Sequence, residues 1–366
     1  MHNIVVSGYY GSRNGGDEAM LAAMIEVLSQ LDPKLNITVI SADPADTRRR
    51  HGVEAISWLG LPGICRALQK ADLLISGGGS LLQNVTSGRS LYYYMGVILL
   101  AHLLGTPVML YAQGIGPIYG GLARRAMKWL GNHVDVITVR DHGSLEELER
   151  LGIHSPHIEC TADPVLAINP VDRETGRRIL ENCHAHGAQP MVGISVREWR
   201  GWRHYKEVLA KTVDAIVREL HAEVVFLPMQ FPEDVRTAEA IAELAEERCT
   251  VLEEEYTTSE LLSLVGCMDL MISVRLHALI FAGVMGVPMI GLSYDPKIGR
   301  FMDSIGDQIV GNLENIAQEE LMAEIRRKWE GKGTFREKNL PLLAELRRLA
   351  TRNAELAMNA MDKKAH

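Results

Sequence analysis

The stretch Ser273-Val-Arg-Leu-His277 sets a permanent cation and a titratable imidazole two residues apart, after the apolar run Met268-Asp-Leu-Met-Ile-Ser273 and before Ala278-Leu-Ile-Phe-Ala-Gly283. A buried strand that ends here, with a helix to follow, presents both groups at the edge of a sheet. Side chains two apart in an extended segment point the same way, so Arg275 and His277 are expected to share one small volume. A guanidinium and an imidazole together can hold an anion and move a proton beside it. Arg197, in Ile194-Ser-Val-Arg197, ends another apolar strand of the same half. Two guanidiniums on one edge favour a ligand with a carboxylate and a phosphate, each held bidentately, while an ion pair with a nearby Asp is the plainer use of either one.

The N-terminal half offers glycine-rich strand ends instead. Gly8-Tyr-Tyr-Gly-Ser-Arg-Asn-Gly-Gly-Asp17 joins a first strand to a helix expected to begin near Asp17 or Glu18, and its glycines match neither a dinucleotide fingerprint nor a Walker loop. Asp17 reads either as a helix cap or as a ligand for a sugar hydroxyl and a general base. Ser76-Gly-Gly-Gly-Ser80 also follows an apolar strand, and three consecutive glycines cost chain entropy on folding, which close approach of a ligand or a facing domain would explain. Gln83 and Asn84 follow it with hydrogen-bonding side chains. Gln113, in Tyr111-Ala-Gln-Gly-Ile-Gly-Pro117, has no evident structural task, and Arg140-Asp141 ends a further strand.

Elements that position these residues recur in two series. Ile4-Val-Val, Ile37-Thr-Val-Ile40, Leu73-Leu-Ile75, Val108-Met-Leu-Tyr111 and Val136-Ile-Thr-Val139 are short apolar runs separated by helix-length segments. Met191-Val-Gly-Ile-Ser-Val196, Glu223-Val-Val-Phe-Leu227, Leu270-Met-Ile272 and Met289-Ile-Gly-Leu292 repeat the pattern, with helices expected over Tyr205 to Leu220, Pro232 to Arg248 and Ser259 to Val265. Such alternation predicts right-handed βαβ crossovers and parallel sheets. The fold class is therefore α/β, two Rossmann-like domains facing each other across a cleft, at residues 1–165 and 166–312. The linker falls in Ala162-Asp-Pro-Val-Leu-Ala-Ile-Asn-Pro170, and a helical extension, 313–366, is expected to pack back on the first domain.

A length of 366 residues with 47% hydrophobic content supports two cores. The net charge of −8, with no Lys/Arg block interleaved with aromatics, argues against nucleic acid as a partner. Five scattered cysteines without a Cys-x-x-Cys pair read as reduced thiols, and no His-x-x-x-His or carboxylate cluster marks a metal site. Neither an export signal nor a spanning segment is evident, so a cytoplasmic protein is expected.

Taken together, Gly11-Ser-Arg-Asn-Gly-Gly-Asp17, Gly77-Gly-Gly-Ser80, Gln113-Gly-Ile-Gly-Pro117, Ser195-Val-Arg197 and Arg275-Leu-His277 resemble the polysaccharide pyruvyl transferase family, its secondary cell-wall polysaccharide branch above all. The resemblance implies a GT-B-type fold and transfer of pyruvate from phosphoenolpyruvate, a co-substrate and not a cofactor, onto two sugar hydroxyls as a 4,6-linked ketal. It implies donor binding by Arg197, Arg275, Leu276 through its backbone, and Lys297, with His277 as the acid and Asp17 as the weaker candidate for hydroxyl deprotonation. Gly16, Gly78, Gly79, Ser80, Gln83 and Gln113 would then meet the acceptor, an N-acetylmannosamine of a lipid-linked saccharide whose product lets surface-layer proteins dock. Such an acceptor implies transient contact with the inner membrane face, for which Arg48-Arg-Arg50 and Arg124-Arg125 with Lys128 are candidate basic clusters. The oligomeric state stays open. A GT-B glycosyltransferase using a nucleotide sugar and a non-catalytic sugar-binding module are the alternatives.

Overall fold

A computed structural model describes residues 2–85, 88–185 and 189–362. These form two compact units. Unit 1 holds the chain up to Ser12, Asp17–Ile168 and the chain from Leu346; unit 2 holds Arg13–Gly16 and Asn169–Glu345.

Unit 1 is built on seven strands, β1 (Asn3–Ser7), β2 (Asn36–Ser41), β3 (Glu54–Ser57), β4 (Leu73–Gly77), β5 (Val108–Gln113), β6 (Val136–Val139) and β7 (His157–Cys160). All pair in parallel, in the order β3-β2-β1-β4-β5-β6-β7. Every residue of β4, β5 and β6 is buried, as strands covered on both faces by crossover helices must be. Leu74, Leu110 and Ile137 from these strands pack with Leu91, Tyr94, Ile98, Met127 and Leu148 from the helices of one face.

Unit 2 repeats the design with β8 (Met191–Ser195), β9 (Glu223–Phe226), β10 (Thr250–Val251), β11 (Leu270–Ser273), β12 (Met289–Ser293) and β13 (Gly311–Asn312). Their order is β10-β9-β8-β11-β12-β13, again all parallel. In both sheets successive strands first run outward on one side and the chain then crosses to the other. The reversal falls between β1 and β4 in one sheet and between β8 and β11 in the other. Helices leave in opposite directions at such a point, and a crevice opens outside the carboxyl ends of the two strands.

The structure extends and corrects the sequence expectations. β3, β7, β10 and β13 are additional strands; all four are edge or near-edge pieces with exposed or half-buried residues, so they lack the apolar run that marks a central strand. The helix expected over Pro232 to Arg248 is shorter, Glu233–Ala242. The anticipated linker is not an exposed tether: Ala162 to Ile168 is buried, with a 3₁₀ turn at Pro164–Ala167. The C-terminal extension is shared. Helix Gln318–Glu330 packs Leu321, Met322 and Ile325 into the core of unit 2. Helix Lys332–Asp362 passes from one unit to the other, and in unit 1 its Asn353 pairs with Thr161 Oγ1 at 2.8 Å and donates to the Ala162 carbonyl at 3.1 Å. Among the described residues no helix is long and apolar enough to cross a membrane.

Candidate functional site

The sequence candidates of unit 2 gather at its β8/β11 reversal. Arg197 lies two residues beyond the end of β8, and Arg275 two beyond the end of β11. Ser273 Oγ accepts the Arg275 amide at 2.8 Å and so turns the chain out of the strand. Helix Leu276–Met285 begins at the next residue, with Arg275 at its N-cap and no side chain capping it. The alternation argument for Arg275 and His277 therefore fails, because the extended segment stops at Arg275. His277 is the second residue of a helix, and Leu276 is the first, its amide one of those that an α-helix cannot satisfy internally.

Each arginine is anchored on one side. Arg275 Nη2 pairs with Asp234 Oδ1 and reaches Gln230 Oε1 at 3.3 Å. Asp234 is only 1% exposed, and its second oxygen accepts the amides of Met229 and Gln230 at 3.1 and 2.9 Å. The plain ion pair anticipated for an arginine is thus realised at Arg275, whose charge Asp234 largely offsets. Arg197 instead donates from Nη1 to the Tyr294 hydroxyl at 2.5 Å, and among the described residues no carboxylate pairs with it. Both Nε atoms are buried without a hydrogen-bond partner among the described residues, as is Ser195 Oγ. An unsatisfied buried donor costs roughly 1–3 kcal/mol, so two guanidinium edges left this way are what an anion-binding site requires.

His277 is held by a close backbone approach. Residues 13–16 belong to unit 2: Asn14 bridges to Gln230, the Gly15 amide donates to the Met229 carbonyl at 2.7 Å, and Asn14 Oδ1 accepts the Gly16 amide at 3.0 Å. The helix that follows starts at Gly15, two residues earlier than expected, so Asn14 caps it by chemistry and Asp17 falls in its first turn. A Cβ on Gly16 would stand 2.0 Å from His277 Nδ1. Gly16→Ala is therefore expected to displace the imidazole and lower turnover about 10²-fold while the far-UV circular dichroism stays native. Retained turnover would show that the position of His277 is immaterial.

Lys297 is half-buried, with Nζ 3.5 Å from Asp295 and 5.5 Å from the centre of the Tyr294 ring. Burial by itself would raise the Tyr294 phenol. The positive charges of Lys297, Arg197 and Arg275 nevertheless bring it below its ordinary value, against the opposing charge of Asp295.

The unit 1 candidates lie at the β1/β4 reversal and along β5. Gly78 and Gly79 have φ of 69° and 77°, which only glycine adopts cheaply, and a Cβ on Gly79 would meet Asp17 Oδ1 at 3.2 Å. The Asp17 carboxylate, after burial, raises the phenols of Tyr10 and Tyr94. Ser80 Oγ accepts from Arg140 Nη2 at 3.1 Å, and Arg140 Nη1 pairs with buried Asp163 at 2.9 Å. Gln83 Oε1 accepts the Val85 amide at 2.6 Å, and Asn84 is tied both ways to the Tyr119 backbone at 2.8 Å. Gln113 has a structural task after all: it is fully buried, and Nε2 donates to the Ser76 carbonyl at 2.9 Å, so it cross-links β4 and β5.

Sequence reasoning missed Asp234, Tyr294 and Trp199. It also passed over the interleaved segment Arg197-Glu-Trp-Arg-Gly-Trp-Arg-His-Tyr-Lys206. There Trp199 and Trp202 pack on the unit 2 core, while Arg203 and Lys206 pair with Glu207 and Glu198 at 2.8 and 2.5 Å. The basic clusters of unit 1 are partly neutralised as well: Arg49 and Arg50 pair with Asp46, and Arg124 lies 3.8 Å from Glu147. Among the described residues no group of three or more His, Cys, Asp or Glu is arranged to hold a metal ion.

Residues 14–296, which include every unit 2 candidate up to Pro296, match the sequence profile of the polysaccharide pyruvyl transferases. The chain belongs to that family. A curated relative, the amylovoran biosynthesis protein AmsJ of Erwinia amylovora, is 20% identical over 70% of this chain, and the match spans 65% of the relative's length. Solved structures similar to this chain share its fold at low identity. The UDP-GlcNAc 2-epimerase of Neisseria meningitidis, bound to UDP-GlcNAc, superposes with a TM-score of 0.65 at 12% identity, covering 99% of this chain and all (100%) of that one. Anabaena HepE, in complex with UDP-glucose, gives 0.63 at 13% identity over 100% of this chain and 99% of its own. These likenesses show a GT-B-type fold for this chain.

Proposed function

We propose that this pyruvyl transferase takes pyruvate from phosphoenolpyruvate and places it as a cyclic ketal on two hydroxyls of a glycan, with the donor bound at the β8/β11 reversal. The observation that carries the reading is the pair of buried, unpartnered Nε edges of Arg197 and Arg275 beside the N-terminus of the helix that bears His277. A small molecule with a carboxylate and a phosphate satisfies both edges, with the Leu276 amide and Lys297 as further donors. His277, as imidazolium, gives its proton to the methylene carbon, and a sugar hydroxyl adds to the cationic C2. The C2–O bond to phosphate then breaks and the second hydroxyl closes the ring. Of the two hydroxyl protons, one restores His277 and the other leaves with phosphate. No further cofactor is assigned. Asp17, with Gly78, Gly79 and Ser80, is assigned to the acceptor side.

The acceptor is proposed to be N-acetylmannosamine on a lipid-linked precursor, met by a cytoplasmic enzyme visiting the inner membrane face; the name of AmsJ supports polysaccharide biosynthesis and is silent on the sugar. The test is phosphate release from phosphoenolpyruvate with and without an aryl-linked N-acetylmannosamine glycan. Acceptor-dependent release is expected. Tight UDP binding with no release would favour a nucleotide-sugar transferase instead, a reading that the UDP-bound structural neighbours keep in play.

A further inference from the structure

We propose that Tyr294 is a positioning residue of the anion site, holding Arg197 by one nitrogen so that the rest of its guanidinium is presented to the ligand. This inference rests on the donor site proposed above, and Tyr294 lies outside the residues that the family resemblance singles out. Arg197 is a long side chain on a connecting segment, and a long side chain loses substantial rotamer entropy when fixed. Three side-chain contacts and one backbone hydrogen bond fix the residue here. Its Nη1 donates to the Tyr294 hydroxyl at 2.5 Å, and its Cζ lies 4.7 Å from the centre of the Tyr294 ring and 5.3 Å from that of Trp199. Its carbonyl accepts the Tyr205 hydroxyl at 2.7 Å. The Trp199 and Tyr294 rings stand 4.6 Å apart and brace one another.

An aspartate would hold Arg197 more tightly, and the comparison with Arg275 shows why a phenol serves differently. Asp234 offsets the charge of Arg275, whereas a neutral phenol anchors Arg197 and leaves its full positive charge for the ligand. Only while it is protonated does the phenol hold Arg197 without offsetting its charge. Lys297, Arg197 and Arg275 face it as cations and Asp295 as an anion, and their balance lowers its ionisation below the ordinary 10.0. Once ionised, Tyr294 neutralises Arg197 and repels an incoming anion. Affinity for an anion is thus expected to fall as pH rises from neutrality toward the ordinary phenol value, and the share owed to Tyr294 is the share that removing its hydroxyl abolishes.

Tyr294→Phe separates ring from hydroxyl, because both stacking contacts survive in the variant. Calorimetry with phosphoenolpyruvate, inorganic phosphate and UDP, each across that pH range, is to be paired with steady-state kinetics. The variant is expected to bind phosphoenolpyruvate about tenfold more weakly, the scale of one hydrogen bond to a charged group, with KM rising in step and kcat within about threefold. Its alkaline loss of affinity is expected to be smaller than that of the wild type, which a merely structural tyrosine would not produce. Unchanged affinity together with an unchanged alkaline limb would overturn the inference while leaving the donor site standing. Should the wild type bind UDP and not phosphoenolpyruvate, the donor reading falls, and the same comparison made with UDP decides on Tyr294. Failure of the wild type to bind any of the three overturns both.

Discussion

His277→Ala is expected to lower acceptor-dependent phosphate release by about 10²- to 10⁴-fold in kcat, with phosphoenolpyruvate binding nearly intact. The split follows from where the groups sit. Anion affinity is assigned to Arg197, Arg275, Lys297 and the Leu276 amide, none of which the substitution touches. The proton that makes C2 electrophilic is assigned to the imidazole, and a methyl group carries none. The variant should also fold, since the change shortens a side chain beside Gly16 and leaves helix Leu276–Met285 with a better helix former at that position. Single-turnover kinetics with calorimetry read the two effects separately. A variant that binds and turns over like the wild type would remove His277 from the mechanism and leave a binding module as the simpler reading.

The second large effect belongs to Asp234, which never needs to touch a ligand. Asp234→Ala leaves Arg275 buried without its counter-ion and releases the amides of Met229 and Gln230, which Asp234 accepts at 3.1 and 2.9 Å. Removing one partner of a buried ion pair typically costs about 3–5 kcal/mol. Urea unfolding followed by tryptophan fluorescence should show unit 2 losing stability on that scale, Trp199 and Trp202 being packed on its core. Asp234→Asn should cost less, because an amide oxygen in the place of Oδ2 can still accept two of the three hydrogen bonds, those from Met229 and Gln230. A loss below about 1 kcal/mol in the alanine variant would mean that Arg275 finds water or another acceptor, and that the offset of its charge is unimportant.

What the chain disclosed beforehand follows the physics of each element. Central strands bury both faces, so their apolar runs are continuous, and the residues just past them, Arg197, Arg275, Gly78 and Gly79, could be placed at strand ends from order alone. Edge strands such as β3 and β7 carry no such run and went unseen. Side-chain partners were the harder part. Asp234 meets Arg275 across 41 positions and Tyr294 meets Arg197 across 97, separations that only the sheet order brings together. Gln113 misled for the same reason: its partner, the Ser76 carbonyl, belongs to the neighbouring strand. The alternation rule failed at His277 because the strand gave way to helix one residue too soon for it.

The bond between Thr161 and Asn353 spans 192 positions of chain. Unit 1 therefore has its seven strands made within the first half of synthesis, yet waits for helix Lys332–Asp362 to supply Asn353, the partner of Thr161. During that interval Asn169–Glu345, nearly all of unit 2, is translated. The early unit must persist on the ribosome as a nearly finished sheet whose last piece closes a very long loop, a slow step by contact order and one that leaves the nascent chain exposed to misassembly.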